Sequence, residues 1–222
     1  MRPDALASLC IVLLAMMSPL VFAQTAEIVA TVVDEQGRPV EDAVVVAMPA
    51  DGNVRLLPRT RVELVDQIDK EFRPRVKAIA VGTAVTFPNH DNVRHHVYSF
   101  STAKRFELPL YAGIPAQQVV FDKPGVVVLG CNIHDWMIGY IYVSASPYFA
   151  TTEKDGKAVL AELPLRGYVI RVWHPLLETS EEATRQNVDA SRAGRFEVSW
   201  TLKLRPEVRV RRAPTSERSG RY

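Results

Sequence analysis

Gly130-Cys131-Asn132-Ile133-His134-Asp135-Trp136-Met137 sets a thiolate, an imidazole and a thioether within seven residues, and the pair His95-His96 begins thirty-five residues before Gly130. Two imidazoles, one thiolate and a weak thioether make the trigonal His₂Cys set with an axial Met that holds redox-active copper. Thiolate and thioether suit Cu(I), and imidazole suits both oxidation states, so the set keeps the metal through a one-electron cycle. Zinc rarely recruits Met, and iron–sulfur clusters need more than the 2 cysteines of this chain. The reading is one copper per chain.

The flanks are shaped to present that loop. Gly125-Val126-Val127-Val128-Leu129-Gly130 is an apolar, β-branched run that delivers Cys131 at its end, and Ile138-Gly139-Tyr140-Ile141-Tyr142-Val143 reads as the next strand. His134 and Met137 fall in the short connection between them. The upstream imidazole comes from Val93-Arg94-His95-His96-Val97-Tyr98-Ser99-Phe100, itself strand-like. Adjacent strand residues point to opposite faces, so only one of His95 and His96 can aim at the loop.

Residues 62–143 resemble a cupredoxin, and the ligand loop resembles that of the amicyanins. The loop there reads Cys-x-x-His-x-x-Met followed by x-Gly, as Cys131, His134, Met137 and Ile138-Gly139 do here. Val81-Gly82-Thr83-Ala84-Val85-Thr86-Phe87-Pro88-Asn89, followed by Asp91, is similar to the family's lead into its first ligand histidine. The resemblance implies copper ligation by His95, Cys131, His134 and Met137, with His96 at a position commonly held by Asn. It further implies that Asn89 and the backbone at His96 support the ligands, and that His134 lies nearest the surface as the electron port. Trp136 and Ile138 would frame that port as a docking surface. The arrangement also resembles proteins labelled methylamine-utilisation proteins.

Compartment agrees with copper. Arg2, an apolar stretch from Leu9 to Phe22 and the ending Val21-Phe22-Ala23 read as a secretory signal peptide, residues 1–23. Cleavage would remove Cys10 and leave Cys131 alone, so no disulfide within the mature chain is possible. A lone thiol in an oxidising compartment is a liability unless buried or metal-bound. The expectation is a periplasmic or secreted protein with no stable membrane insertion after cleavage.

The organisation reads as nested and all-β. Residues 27–46 alternate around a Gly-Arg-Pro turn at Gly37, similar to the opening of carboxypeptidase-regulatory or transthyretin-like sandwiches. The matching later signals, Thr151 to Gly156 and Leu163-Pro164-Leu165-Arg166-Gly167-Tyr168, come only after the copper region. The expected fold is therefore a Greek-key cupredoxin-like β-sandwich, residues 56–145, combined with a second small Ig-like or transthyretin-like sandwich. That second sandwich would be discontinuous, built from residues 24–55 and 146–204. Residues 180–190 read as one short helix. Residues 205–222, with six Arg and two Glu, read as a flexible basic tail.

The spare histidines are few. His90 sits in a polar loop and His174 follows a strand of the second module. The flanks of Cys131 are Gly130 and Asn132, not the histidines that wire a multicopper oxidase, and no nucleophile triad or phosphate loop is present. No catalytic residue is assigned and no nucleic-acid partner is expected at a formal charge of +2. The expected function is a type 1 (blue) copper electron carrier serving periplasmic redox proteins, such as a c-type cytochrome or a dehydrogenase. The alternative is a copper chaperone or storage protein.

Overall fold

The computed structural model describes residues 24–55, 62–115 and 117–207. The expected signal peptide and most of the expected basic tail lie outside these residues. The first strands are β1 (Ala26–Asp34) and β2 (Val44–Pro49). A middle series follows: β3 (Glu63–Leu64), β4 (Asp66–Ile68), β5 (Glu71–Arg73), β6 (Val76–Ala80), β7 (Thr83–Thr86), β8 (His95–Ser101), β9 (Lys104–Tyr111), β10 (Val119–Phe121), β11 (Gly125–Cys131) and β12 (His134–Ser144). The last series is β13 (Tyr148–Thr151), β14 (Lys157–Leu163), β15 (Arg166–Trp173), β16 (Gln186–Ala190) and β17 (Gly194–Leu202). The protein is all-β, and among the described residues no helix is long and apolar enough to cross a membrane.

The first and last series build two sheets, β14-β1-β17 and β13-β2-β15-β16. Between them lies a core that includes Ile28, Ala30 and Val32 of β1, Val45 and Ala47 of β2, and Ile170 and Val172 of β15. Its alternating apolar positions are what a half-buried strand requires. Two turns hold it in shape. The Tyr168 hydroxyl donates to the Pro164 carbonyl at 2.8 Å, closing the Leu-Pro turn that the sequence marks. Gly156 has a φ of +73°, and a Cβ there would stand 2.4 Å from the Val32 carbonyl oxygen, so no larger residue fits.

The middle series forms a five-stranded sheet, β6-β12-β11-β8-β9, with a smaller sheet β10-β7-β3 and a β4-β5 ribbon. Its separate core gathers Phe72, Val85, Phe87, Val97, Phe121, Leu129, Cys131, Met137 and Ile141. β11 and β12 pair as a hairpin, β8 and β9 as another, and β8 reaches β11 across a longer connection. That crossover brings His95 beside Cys131, 36 positions apart in the chain.

A third cluster joins the two halves: Val44 and Val46 of β2 against Val76 and Tyr142, with Tyr140, Phe149 and Trp173 packed around them. The Tyr142 hydroxyl donates to Glu181 at 2.6 Å, and Arg75 pairs with Glu207 at 2.7 Å. Two expectations change. Residues 180–190 make only a 3-10 turn, Glu181–Thr184, before β16 pairs with β15. The buried Thr184 hydroxyl accepts from Val172 N and has the Glu181 carbonyl at 2.7 Å for its single proton, which anchors the segment to the sheet. The start of the expected tail is also tied down, by Arg205 N to Leu176 O at 2.8 Å and by the Glu207 ion pair.

Candidate metal centre

Three elements deliver the chemistry: the loop before β8, the end of β11 and the start of β12. Asn89, 3% exposed, shapes the loop. Its side-chain amide donates to the carbonyls of Val93 and Tyr111, both at 2.9 Å, and its Oδ1 accepts from Asp91 N at 3.0 Å. A turn so tied presents His95 at a fixed height. At the other side, the register of β11 against β12 shifts between Gly130 and Cys131, so Cys131 faces His134 across the hairpin. Such a shift re-aims side chains next to sites.

The geometry converges on the thiol. His95 Nδ1 and His134 Nδ1 each lie 3.7 Å from Cys131 Sγ, and the three ligand atoms are all within 4.8 Å of one another. His95 and Cys131 are buried at 0% and 3% exposure, whereas His134 is partly open. The three atoms form a group that could hold a metal ion. Metal–nitrogen bonds of about 2.0 Å and a metal–sulfur bond of about 2.3 Å, spread at ~120°, separate N from S by about 3.7 Å. The observed separations fit a trigonal ion. Met137, 1% exposed, shares the core cluster that contains Cys131.

Electrostatics favour loading. Burial, then the nearby His95 and Lys70, lowers the His134 pKa below its ordinary value and keeps that imidazole neutral, the form a metal needs. His95 Nε2 lies 2.7 Å from Asp91 Oδ2. Partial burial pushes the Asp91 carboxyl upward, but the hydrogen bonds from His95, Lys70 and Asp69 outweigh it and hold it below its usual range. Beneath the loop, Gln67 donates to the Phe87 and Pro88 carbonyls and lies 2.6 Å from the Tyr111 hydroxyl. Burial pushes that phenol up to about 12.

Other sequence-marked residues have different places. The His96 side chain turns away from the thiol, with Nε2 3.0 Å from Glu107 and its ring edge-on to Tyr98, as strand alternation requires. His90 is exposed and faces Asp66 at 2.7 Å. His174 is buried in the other half and accepts from Leu176 N. The Trp136 ring stands 5.2 Å from His134, and Ile138 is 44% exposed. Ile138, Phe100, Val128, Tyr98 and Asp135 line a groove of about 470 Å³ on the outer face of the ligand sheet. Sequence reading gave Asp91 no role and missed Gln67. An acid four residues before His95 was the available signal for the first, and nothing local marked the second.

No protein-family model and no curated protein matches this chain. Among solved structures it is similar to a novel purple cupredoxin from Nitrosopumilus maritimus, at 27% identity and TM-score 0.33, over 37% of this chain and 98% of that one. It is also similar to the copper-containing nitrite reductase NirK from Thermus scotoductus SA-01, at 25% identity and TM-score 0.37, over 52% of this chain and 28% of that one. The oxidised state of an amicyanin point mutant is similar at 22% identity and TM-score 0.34, over 37% of this chain and 82% of that one.

Proposed function

We propose that this chain is a periplasmic blue copper protein of the cupredoxin kind, carrying single electrons between redox partners. The observation that supports it most is the pair of imidazole nitrogens set 3.7 Å from one buried thiol. Cys131, His95 and His134 would hold one copper, with Met137 as the weak axial ligand; the bound ion supplies one-electron chemistry. Cys131 and Met137 are buried, which favours retention of the metal over its transfer to another protein. His134, partly exposed and flanked by Trp136, offers the shortest route from the site to a partner. The exposed Ile138, four residues on in β12, suits brief apolar docking, since redox partners must separate quickly. In this reading the copper domain spans residues 56–145, inserted into a sandwich of residues 24–55 and 146–204, and the partner is a c-type cytochrome or a dehydrogenase.

Titration of metal-free protein with Cu(II) tests the reading. The native chain should take up one equivalent and develop an intense visible thiolate band that Cys131→Ser lacks. Ascorbate-reduced protein should then reoxidise rapidly with an envelope cytochrome, and Trp136→Asp or Ile138→Asp should slow that exchange while preserving the band. A colourless native complex overturns the blue-copper reading. Copper recovered on an acceptor apo-protein, without fast electron exchange, makes the chain a chaperone.

A further inference from the structure

A neutral imidazole carries one proton, and whichever ring nitrogen holds it cannot bind a metal. For His95 the choice is set from behind. Its Nε2 lies 2.7 Å from Asp91 Oδ2, and an ionised carboxylate only accepts. The proton therefore sits on Nε2, and the Nδ1 lone pair faces Cys131 Sγ. Asp91 is itself held: its Oδ1 accepts from Asp69 N at 2.7 Å and its Oδ2 from Lys70 N at 2.8 Å. Asp69 and Lys70, between β4 and β5, both adopt left-handed φ values of 56° and 59°. Successive backbone N–H groups in such a turn form a concavity that binds an anion. The carboxylate is thus pinned on three sides, with one oxygen directed at the ligand ring.

We propose that Asp91 is a positioning residue for the copper centre. It fixes His95 as the Nδ1 ligand, and its charge favours the oxidised ion over the reduced one. This rests on the copper reading above, but half of it concerns the metal-free chain. A negative charge hydrogen-bonded to a ligand imidazole makes that ligand a stronger donor, and the gain is larger for the more highly charged ion. The β4-β5 turn is then an outer clamp of the site, although neither Asp69 nor Lys70 would touch the metal.

Two measurements decide it. Nitrogen-15 NMR of metal-free native protein should find His95 protonated at Nε2; an Nδ1-protonated ring overturns the proposal and needs no copper to do so. In copper-loaded protein, Asp91→Asn should weaken metal binding by about ten- to a hundredfold. The loss should be roughly tenfold greater for Cu(II) than for Cu(I), which for one electron raises the potential by about 59 mV. Asp91→Glu should recover most of that shift. An unchanged potential in Asp91→Asn with its thiolate band intact, or an equal rise in Asp91→Glu, overturns the proposal. A native protein with no thiolate band, but with the Nε2–H tautomer, sinks the copper reading and leaves the positioning of His95 standing.

Discussion

Gly139→Ala is the most direct test of how the ribbon is coupled to the ligand sheet. Gly139 is buried in β12, two residues after Met137, and a Cβ there would stand 2.8 Å from Phe72 Cβ and 3.1 Å from two of its ring carbons. Phe72 is 2% exposed, and its Cβ moves only with the backbone of β5. Real carbon contacts do not fall below about 3.5 Å without cost, so β5 must retreat by several tenths of an ångström. Overpacking of this kind costs about 1–3 kcal/mol. In a chain of this size that lowers the melting temperature by roughly 2–12 °C. The ribbon also ends in the turn that holds Asp91, so copper loading should weaken along with stability. Urea denaturation of the metal-free protein measures the first effect. A double-mutant cycle with Phe72→Ala isolates the ring's share: removing the ring costs about 3–5 kcal/mol alone and relieves the two 3.1 Å contacts, while the 2.8 Å contact with the Cβ that alanine keeps remains. A Gly139→Ala protein within about 0.5 kcal/mol of native refutes the packing argument.

Two further outcomes follow from the same geometry. His95→Ala should abolish the thiolate band while His96→Ala keeps it, because only His95 faces Cys131; visible spectra of both copper-loaded variants check this. His174 is pushed down to about 4 by burial and then by Arg75, so the unfolded chain binds a proton there before the folded one does. Its contribution is therefore fully present above the unfolded value of about 6.5 and is lost as pH falls towards 4, a change of about 3 kcal/mol. Denaturation midpoints of native and His174→Gln protein between pH 7 and 4 should converge as the pH is lowered; parallel curves contradict the assignment.

What was legible in the sequence was what is local. Cys131, His134 and Met137 sit on one hairpin, so their closeness could be read without knowing the fold. The alternation of β8 separates His95 from His96 by the same logic. Residues 163–168 announced their turn because Pro164, Gly167 and Tyr168 have few other uses in that order. Asp91 was harder, because its partners include the backbone of Asp69 and Lys70, more than twenty positions away. Tyr142 and Trp173 looked like ordinary sandwich aromatics, and only the packing of one half on the other shows them at a junction. The helical expectation over 180–190 failed because Thr184 is fixed by tertiary hydrogen bonds that no local pattern records.

The pairing of β2 with β13 has a consequence for how the chain reaches its native state. Ala47 stands opposite Tyr148, so the chain leaves one strand and returns to its immediate neighbour after roughly a hundred residues. Closing an unstructured excursion of that length costs about 4 kcal/mol in chain entropy. Once the middle sandwich has formed, contacts of Val76 and Tyr142 with Val44 and Val46 already hold the returning segment close, and most of that cost disappears. On this argument the outer sandwich should form late, with the middle sandwich as its nucleus.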